Sequence, residues 1–232
     1  QIQRKTQPAA TVELPINNGT VGTAIADANG NWSFTTGVLP DGDKLITAAQ
    51  TDVAGNVSGA CPPYTMTVDT QVAAPTIESV GSDTGVSSTD KITNDATLEI
   101  QGKAEKGATV DVLINGTKVG TAIADVNGNW SFTTSAQSDG TKSITAIQTD
   151  LAGNVSDASP PYTMTVDTQV AAPIIDSVGT DTGVLGDRIT ADNTLEVTGR
   201  AEPGATVEVR IDNVSVGTAI ADGNGNWTLV TA

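Results

Sequence analysis

Histidine is absent from this 232-residue chain, cysteine occurs once, aromatic residues make up 3% and Lys plus Arg number only 11. Each scarcity removes a class of chemistry. Without histidine there is no Ser-His-Asp triad, no Cys-His pair and no histidine-ligated zinc or haem. Cys61 alone closes no internal disulfide and builds no thiolate zinc site. The 11 basic residues face 27 Asp plus Glu, a net charge of −16, so the average field repels phosphate backbones and anionic lipid. Nucleic acid is therefore not an expected partner. No apolar run approaches the roughly 20 residues that span a bilayer, and Gln1-Ile2-Gln3 opens no basic-then-apolar signal pattern. No transmembrane segment is expected.

What the chain has instead is repetition, and a fixed period decides architecture before local propensity does. The segment from Gly22 to Trp32 recurs from Gly120 to Trp130 and again from Gly217 to Trp227, placing the tryptophans 98 and 97 residues apart. Thr51-Asp52-Val53-Ala54-Gly55-Asn56 returns as Thr149-Asp150-Leu151-Ala152-Gly153-Asn154, and Val68-Asp69-Thr70-Gln71-Val72-Ala73-Ala74-Pro75 returns from Val166 to Pro173. The period defines a partial repeat 1 (1–69), expected to lack its first strand, a complete repeat 2 (70–167), and a partial repeat 3 (168–232), expected to lack its last two strands. The end repeats are accordingly expected to be less stable than the middle one.

Within repeat 2, short alternating runs separated by Gly, Asn, Asp and Pro are the pattern of an all-β sandwich. Seven strands are expected, at 76–80, 97–102, 109–114, 119–124, 130–134, 142–149 and 162–166. Alternation sends Leu98, Ile100, Val110, Val112, Ile114, Trp130, Phe132, Ile144, Ala146, Tyr162, Met164 and Val166 into the core. Asn115-Gly116 and Asn213 sit where tight hairpins need positive φ. The expected fold class is all-β, as tandem immunoglobulin-like sandwiches without the antibody disulfide.

Chemistry then rests on oxygen ligands. In immunoglobulin strand order, Glu105, Asp125 and Asp150 gather at one pole, where the linker brings Asp69; four carboxylates there repel unless a cation compensates. Oxygen-only donors select a hard ion, Ca²⁺ before Mg²⁺. The matching set in repeat 3 is Asp167, Glu202 and Asp222, expected to be a poorer site because no aspartate corresponds to Asp150. At the opposite pole the long first loop, residues 81–95, carries Asp83 and Asp90, and its counterpart carries Asp181, Asp187 and Asp192; calcium would order it. A turn reading stands beside each ligand reading. For Asp27, Asp125 and Asp222 in Asp-x-Asn-Gly-Asn the turn is preferred. For Asp-x-Ala-Gly-Asn the two stand level. For Asp69 and Asp167 ligation is preferred, since a linker aspartate has no local turn to serve. Neither an EF-hand loop nor the glycine-rich calcium nonapeptide is present.

Ala201-Glu202-Pro203-Gly204-Ala205-Thr206-Val207, Ala221-Asp222-Gly223-Asn224-Gly225-Asn226-Trp227, Thr149 to Asn154 and Val166 to Pro173 resemble, in this order, the bacterial Ig-like repeats of giant RTX adhesins and biofilm-associated surface proteins. That resemblance implies type I secretion to the bacterial cell surface and a long extender, stiffened by Ca²⁺, whose partners are the neighbouring repeats. Adhesion to a host or surface ligand would belong to other parts of the parent protein. Near-identity of the copies favours a spacer, because a binding site needs difference; a lectin-like or receptor-binding sandwich is the alternative. Trp32, Trp130 and Trp227 alternate in phase with core residues, and no nucleophile has a paired base, so an enzyme is not expected.

Overall fold

The computed structural model describes residues 2–81, 83–85, 87–179, 181–184 and 186–231, with side chains from residue 6 onward. No helix occurs among them, and none is long and apolar enough to cross a membrane. The chain forms two compact units, Gln1–Val166 and Asp167–Ala232. The first unit holds β1 (Ile2–Lys5), β2 (Thr11–Ile16), β3 (Gly19–Ile25), β4 (Asn31–Phe34), β5 (Gly42–Ile46), β6 (Ala49–Thr51) and β7 (Tyr64–Val68) of repeat 1. Repeat 2 follows as β8 (Thr76–Val80), β9 (Ile92–Thr93), β10 (Glu99–Lys103), β11 (Thr109–Ile114), β12 (Thr117–Ile123), β13 (Asn129–Thr133), β14 (Gly140–Thr149) and β15 (Tyr162–Val166). The second unit holds β16 (Ile174–Val178), β17 (Glu196–Arg200), β18 (Thr206–Ile211), β19 (Val214–Ile220) and β20 (Asn226–Val230).

Repeat 2 is two sheets, ordered β13-β10-β8 and β12-β11-β14-β15-β9. The alternating pattern of the sequence is why both sheets are apolar on one face. Val80, Ile100 and Trp130 from the first, with Leu98 just before β10, meet Val110, Val112, Ile114, Ile144, Ala146, Met164 and Val166 from the second in one cluster of buried side chains. Phe132 and Tyr162 pack against it while keeping part of their surface. The seven expected strands are all present, with ends shifted by up to two residues. An eighth, β9, pairs in parallel with β15 through Thr165 and Ile92 and lies inside the long first loop. Two residues are too short to carry a period, which is why the sequence gives no sign of it. The β11–β12 hairpin turns at Asn115 and Gly116, both with positive φ (51° and 77°), the geometry of a tight hairpin.

The flanking repeats reuse these pieces. β1 pairs with β4, Ile2 opposite Phe34, as β10 pairs with β13, Ile100 opposite Phe132. Trp32, Trp130 and Trp227 are all buried, as core packing requires. The cover differs, however. Met66 is 48% exposed where its counterpart Met164 is 2%, and Val178 is 53% exposed where Val80 is 3%.

Candidate metal centre at the linker

Asp69, Glu105 and Asp150 come together in the first unit, each offering a carboxylate oxygen within 4.8 Å of the others. Three separate elements deliver them: the linker after β7, the loop between β10 and β11, and the loop after β14. Asp150 is buried, Glu105 half-buried and Asp69 exposed. The ion pairs among the described residues, Lys118–Asp111, Arg200–Asp176 and Arg210–Glu208, involve none of the three. Three anionic oxygen donors in mutual reach, without histidine or thiolate, are chemistry suited to a hard divalent cation.

Their placement is enforced by Gln148, which alternates in phase with Ile144 and Ala146 and is 1% exposed. Its Oε1 accepts the Glu105 amide at 2.8 Å, and its Nε2 donates to the Ala73 carbonyl at 2.6 Å. The Ala73 amide in turn donates to Glu105 Oε1 at 3.2 Å. Asn154 Nδ2 bridges the same parts, donating to the Asp69 carbonyl at 3.1 Å and to Asp150 Oδ2 at 2.7 Å. A buried amide with both ends satisfied thus ties the linker to the domain. Sequence reasoning passed over Gln148, although a polar residue in the inward register of a strand, repeated as Gln50, was a usable signal.

Asp150 also closes a local turn: its Oδ1 accepts the amides of Ala152 and Asn154, each at 2.8 Å. Burial pushes this carboxyl up, but hydrogen bonds from the Asn154 side chain and from the Asn154, Gly153 and Ala152 amides outweigh it and hold the group below its ordinary value. It is an ionised donor at neutral pH. Asp125 does not join the three. Its Oδ1 accepts the Asn127 and Asn129 amides and its Oδ2 the Asn129 side chain, and these bonds, the side-chain one foremost, lower its pKa. Asp222 makes the same turn with Asn224 and Asn226.

The premise that linker aspartates serve no local turn does not hold. Asp69 Oδ1 accepts the Gln71 amide at 3.3 Å and Asp167 Oδ1 the Gln169 amide at 3.4 Å, both at the long limit of a hydrogen bond. In the second unit, Glu202 Oε1 accepts the Ala171 amide at 2.7 Å. The metal-ligand grouping found among the described residues is the one at Asp69, Glu105 and Asp150, and Asp167, Glu202 and Asp222 do not form another.

The long loop is braced by its own polar groups. Asp83 Oδ2 accepts the Lys91 amide at 2.9 Å and Asp90 Oδ1 the Ile92 amide at 3.0 Å. In the counterpart loop, Asp181 Oδ2 accepts the Gly186 and Arg188 amides and Asp187 Oδ1 the Ile189 amide. Asp83 Oδ1 and Asp181 Oδ1 are both shut off from solvent without a hydrogen-bond partner among the described residues.

A sequence profile of the bacterial Ig-like domain matches the chain three times, over residues 1–70, 71–168 and 169–232. The chain belongs to the bacterial Ig-like domain family. Domains of this kind are typically non-enzymatic structural modules. No curated protein matches the chain. Among solved structures, it is similar to a biofilm-associated protein BSP domain at 21% identity, TM-score 0.30, over 70% of this chain and 26% of that one. Fibronectin(III)-like modules of Clostridium thermocellum CbhA match at 19% identity, TM-score 0.34, over 70% of this chain and 80% of theirs. A putative membrane anchored protein from Corynebacterium diphtheriae matches at 13% identity, TM-score 0.34, over 90% of this bacterial Ig-like chain and 59% of that one. The chain thus spans about a quarter of the biofilm-associated protein.

Proposed function

We propose that this chain is an extender segment of a bacterial cell-surface adhesin, exposed outside the cell, in which Ca²⁺ at the linker between repeats 1 and 2 fixes one repeat against the next. The grouping of Asp69 with Glu105 and Asp150 carries the proposal, because there, among the described residues, a linker carboxylate comes within reach of two carboxylates of the following domain. Near-identical tandem copies support a spacer, and the acidic composition supports a partner that is a cation. Asp69, Glu105 and Asp150 would hold the ion; Asp83 with Asp90, and Asp181 with Asp187, are proposed as secondary loop sites because one oxygen each of Asp83 and Asp181 is buried without a hydrogen-bond partner among the described residues. The cation supplies charge compensation and a crosslink, and no chemical step.

Extracellular modules bind Ca²⁺ with dissociation constants of roughly 10⁻⁴–10⁻³ M, so millimolar calcium outside a cell fills such sites and cytosolic calcium leaves them empty. The chain would leave the cell loosened and stiffen outside, where it would support adhesion and biofilm formation. Small-angle scattering with millimolar calcium and then with chelator tests the reading. A clear fall in maximum dimension on chelation is expected; an unchanged profile contradicts calcium stiffening.

A further inference from the structure

Repeats 2 and 3 share two contacts that hold the incoming linker. The first is a close approach on the edge strand. β8 crosses β10 with a register shift beside Gly102, which stands opposite Trp130, and a Cβ at Gly102 would lie 1.9 Å from the Thr76 carbonyl oxygen and 2.8 Å from Trp130 Cζ2. In the second unit Gly199, opposite Trp227, has the same problem: a Cβ would meet the Ile174 carbonyl oxygen at 2.0 Å and Trp227 Cζ2 at 2.5 Å. Both glycines are there for space, since a carbonyl of the first strand fills the volume a side chain needs. The second contact is the acidic cap on the linker amide, Ala73 to Glu105 and Ala171 to Glu202.

Repeat 1 departs at both positions. Its register is secure: Arg4 stands opposite Trp32 as Gly102 stands opposite Trp130, and the Gln7 amide donates to Gln50 Oε1 as the Glu105 amide donates to Gln148 Oε1. The glycine position is thus arginine, and the glutamate position is glutamine. We propose that the glycine and glutamate together form a lock that admits and clamps an incoming linker strand, present in repeats 2 and 3 and broken in repeat 1. A linker of the Val-Ala-Ala-Pro-x-Ile type cannot take the β8 geometry against β1, so repeat 1 begins a clamped run and any segment entering it does so unclamped. The lock uses packing and hydrogen bonds of the chain alone, and it is independent of the calcium reading.

The test is hydrogen exchange on the whole chain in chelator, so that failure of calcium binding does not touch it. In Gly102→Arg, the amides of β8 are expected to lose at least a hundredfold of their protection while β11 and β14 keep theirs. If that variant unfolds repeat 2 altogether, Gly102→Ala introduces the same Cβ with less bulk and is expected to release β8 likewise. Protection of β8 within twofold of the parent in the alanine variant overturns the proposal. The reciprocal arm adds a synthetic peptide of residues 68–80 to the parent chain and to Arg4→Gly/Gln7→Glu, reading amide shifts around Trp32. Binding at least tenfold tighter to the double variant is expected, and no gain over the parent also overturns it.

Discussion

Aspartates in this protein divide by what their oxygens already hold. Asp52, Asp125, Asp150 and Asp222 each cap a five-residue turn ending in asparagine, and each is held below its ordinary value; in Asp52 and Asp125 the asparagine side chain is the leading cause, in Asp222 the Asn226 amide, and in Asp150 the hydrogen bonds overcome burial. A carboxyl whose folded pKa is depressed adds stability in full above its unfolded value of 3.8, and loses it as pH falls through the folded value. Stability is therefore expected to drop as pH falls below about 4. Asp125→Asn should make the acid limb of the unfolding profile shallower; a melting-temperature series from roughly pH 2 to pH 7, across the carboxylate range, checks this. Ala9 is the other residue of note, with φ at 59° where Gly107 and Gly204 have 76° and 79°. Left-handed backbone costs a non-glycine residue about 1–2 kcal/mol, against about 0.5–1 kcal/mol for the extra freedom of glycine when unfolded. Ala9→Gly should thus stabilise repeat 1 by up to about 1 kcal/mol in denaturant titration.

At the scale of elements, the sandwich was legible because its period is two and its turns need particular residues. Val110, Val112 and Ile114 alternate, and Asn115-Gly116 marks the hairpin between β11 and β12. The metal candidates were legible only in part. Asp69, Glu105 and Asp150 follow from sorting loops by pole, but whether a carboxylate caps a turn depends on where neighbouring amides point, and one side chain can do both, as Asp150 does. Gln148 escaped notice because its partners, Glu105 and Ala73, lie 43 and 75 residues away. Gln148→Leu would leave the Glu105 amide and the Ala73 carbonyl unpaired, each costing about 1–3 kcal/mol if left without water. The expected result is a destabilised repeat 2 and faster proteolysis at 69–75, with repeat 1 unaffected. In the core itself, Ile144→Ala removes a fully buried side chain and should cost about 2–5 kcal/mol.

For the whole molecule, repetition converts one local device into a property of the array. Under the proposed function, a linker aspartate that meets two carboxylates of the next domain would make the relation between two repeats depend on calcium, a solute abundant outside cells and scarce within them. Ligand in tenfold excess over its dissociation constant adds about 1–2 kcal/mol per site by mass action. For a unit of this size that corresponds to a rise of roughly 2–8 °C in melting temperature, so chelator should lower the first unit's transition by about that amount. Repeat 2, with both sheets covered on their inner faces, should melt last. The smaller clusters around Trp32 and Trp227 should yield earlier.

A cation held by Asp69, Glu105 and Asp150 would show itself in amide chemical shifts during a Ca²⁺ titration. Saturable shifts are expected at Asp69, Ala73, Glu105 and Asp150, with a midpoint of roughly 10⁻⁴–10⁻³ M, abolished by Glu105→Gln while the core resonances stay put. A titration to saturating calcium that leaves those four amides unmoved in the folded chain would contradict it.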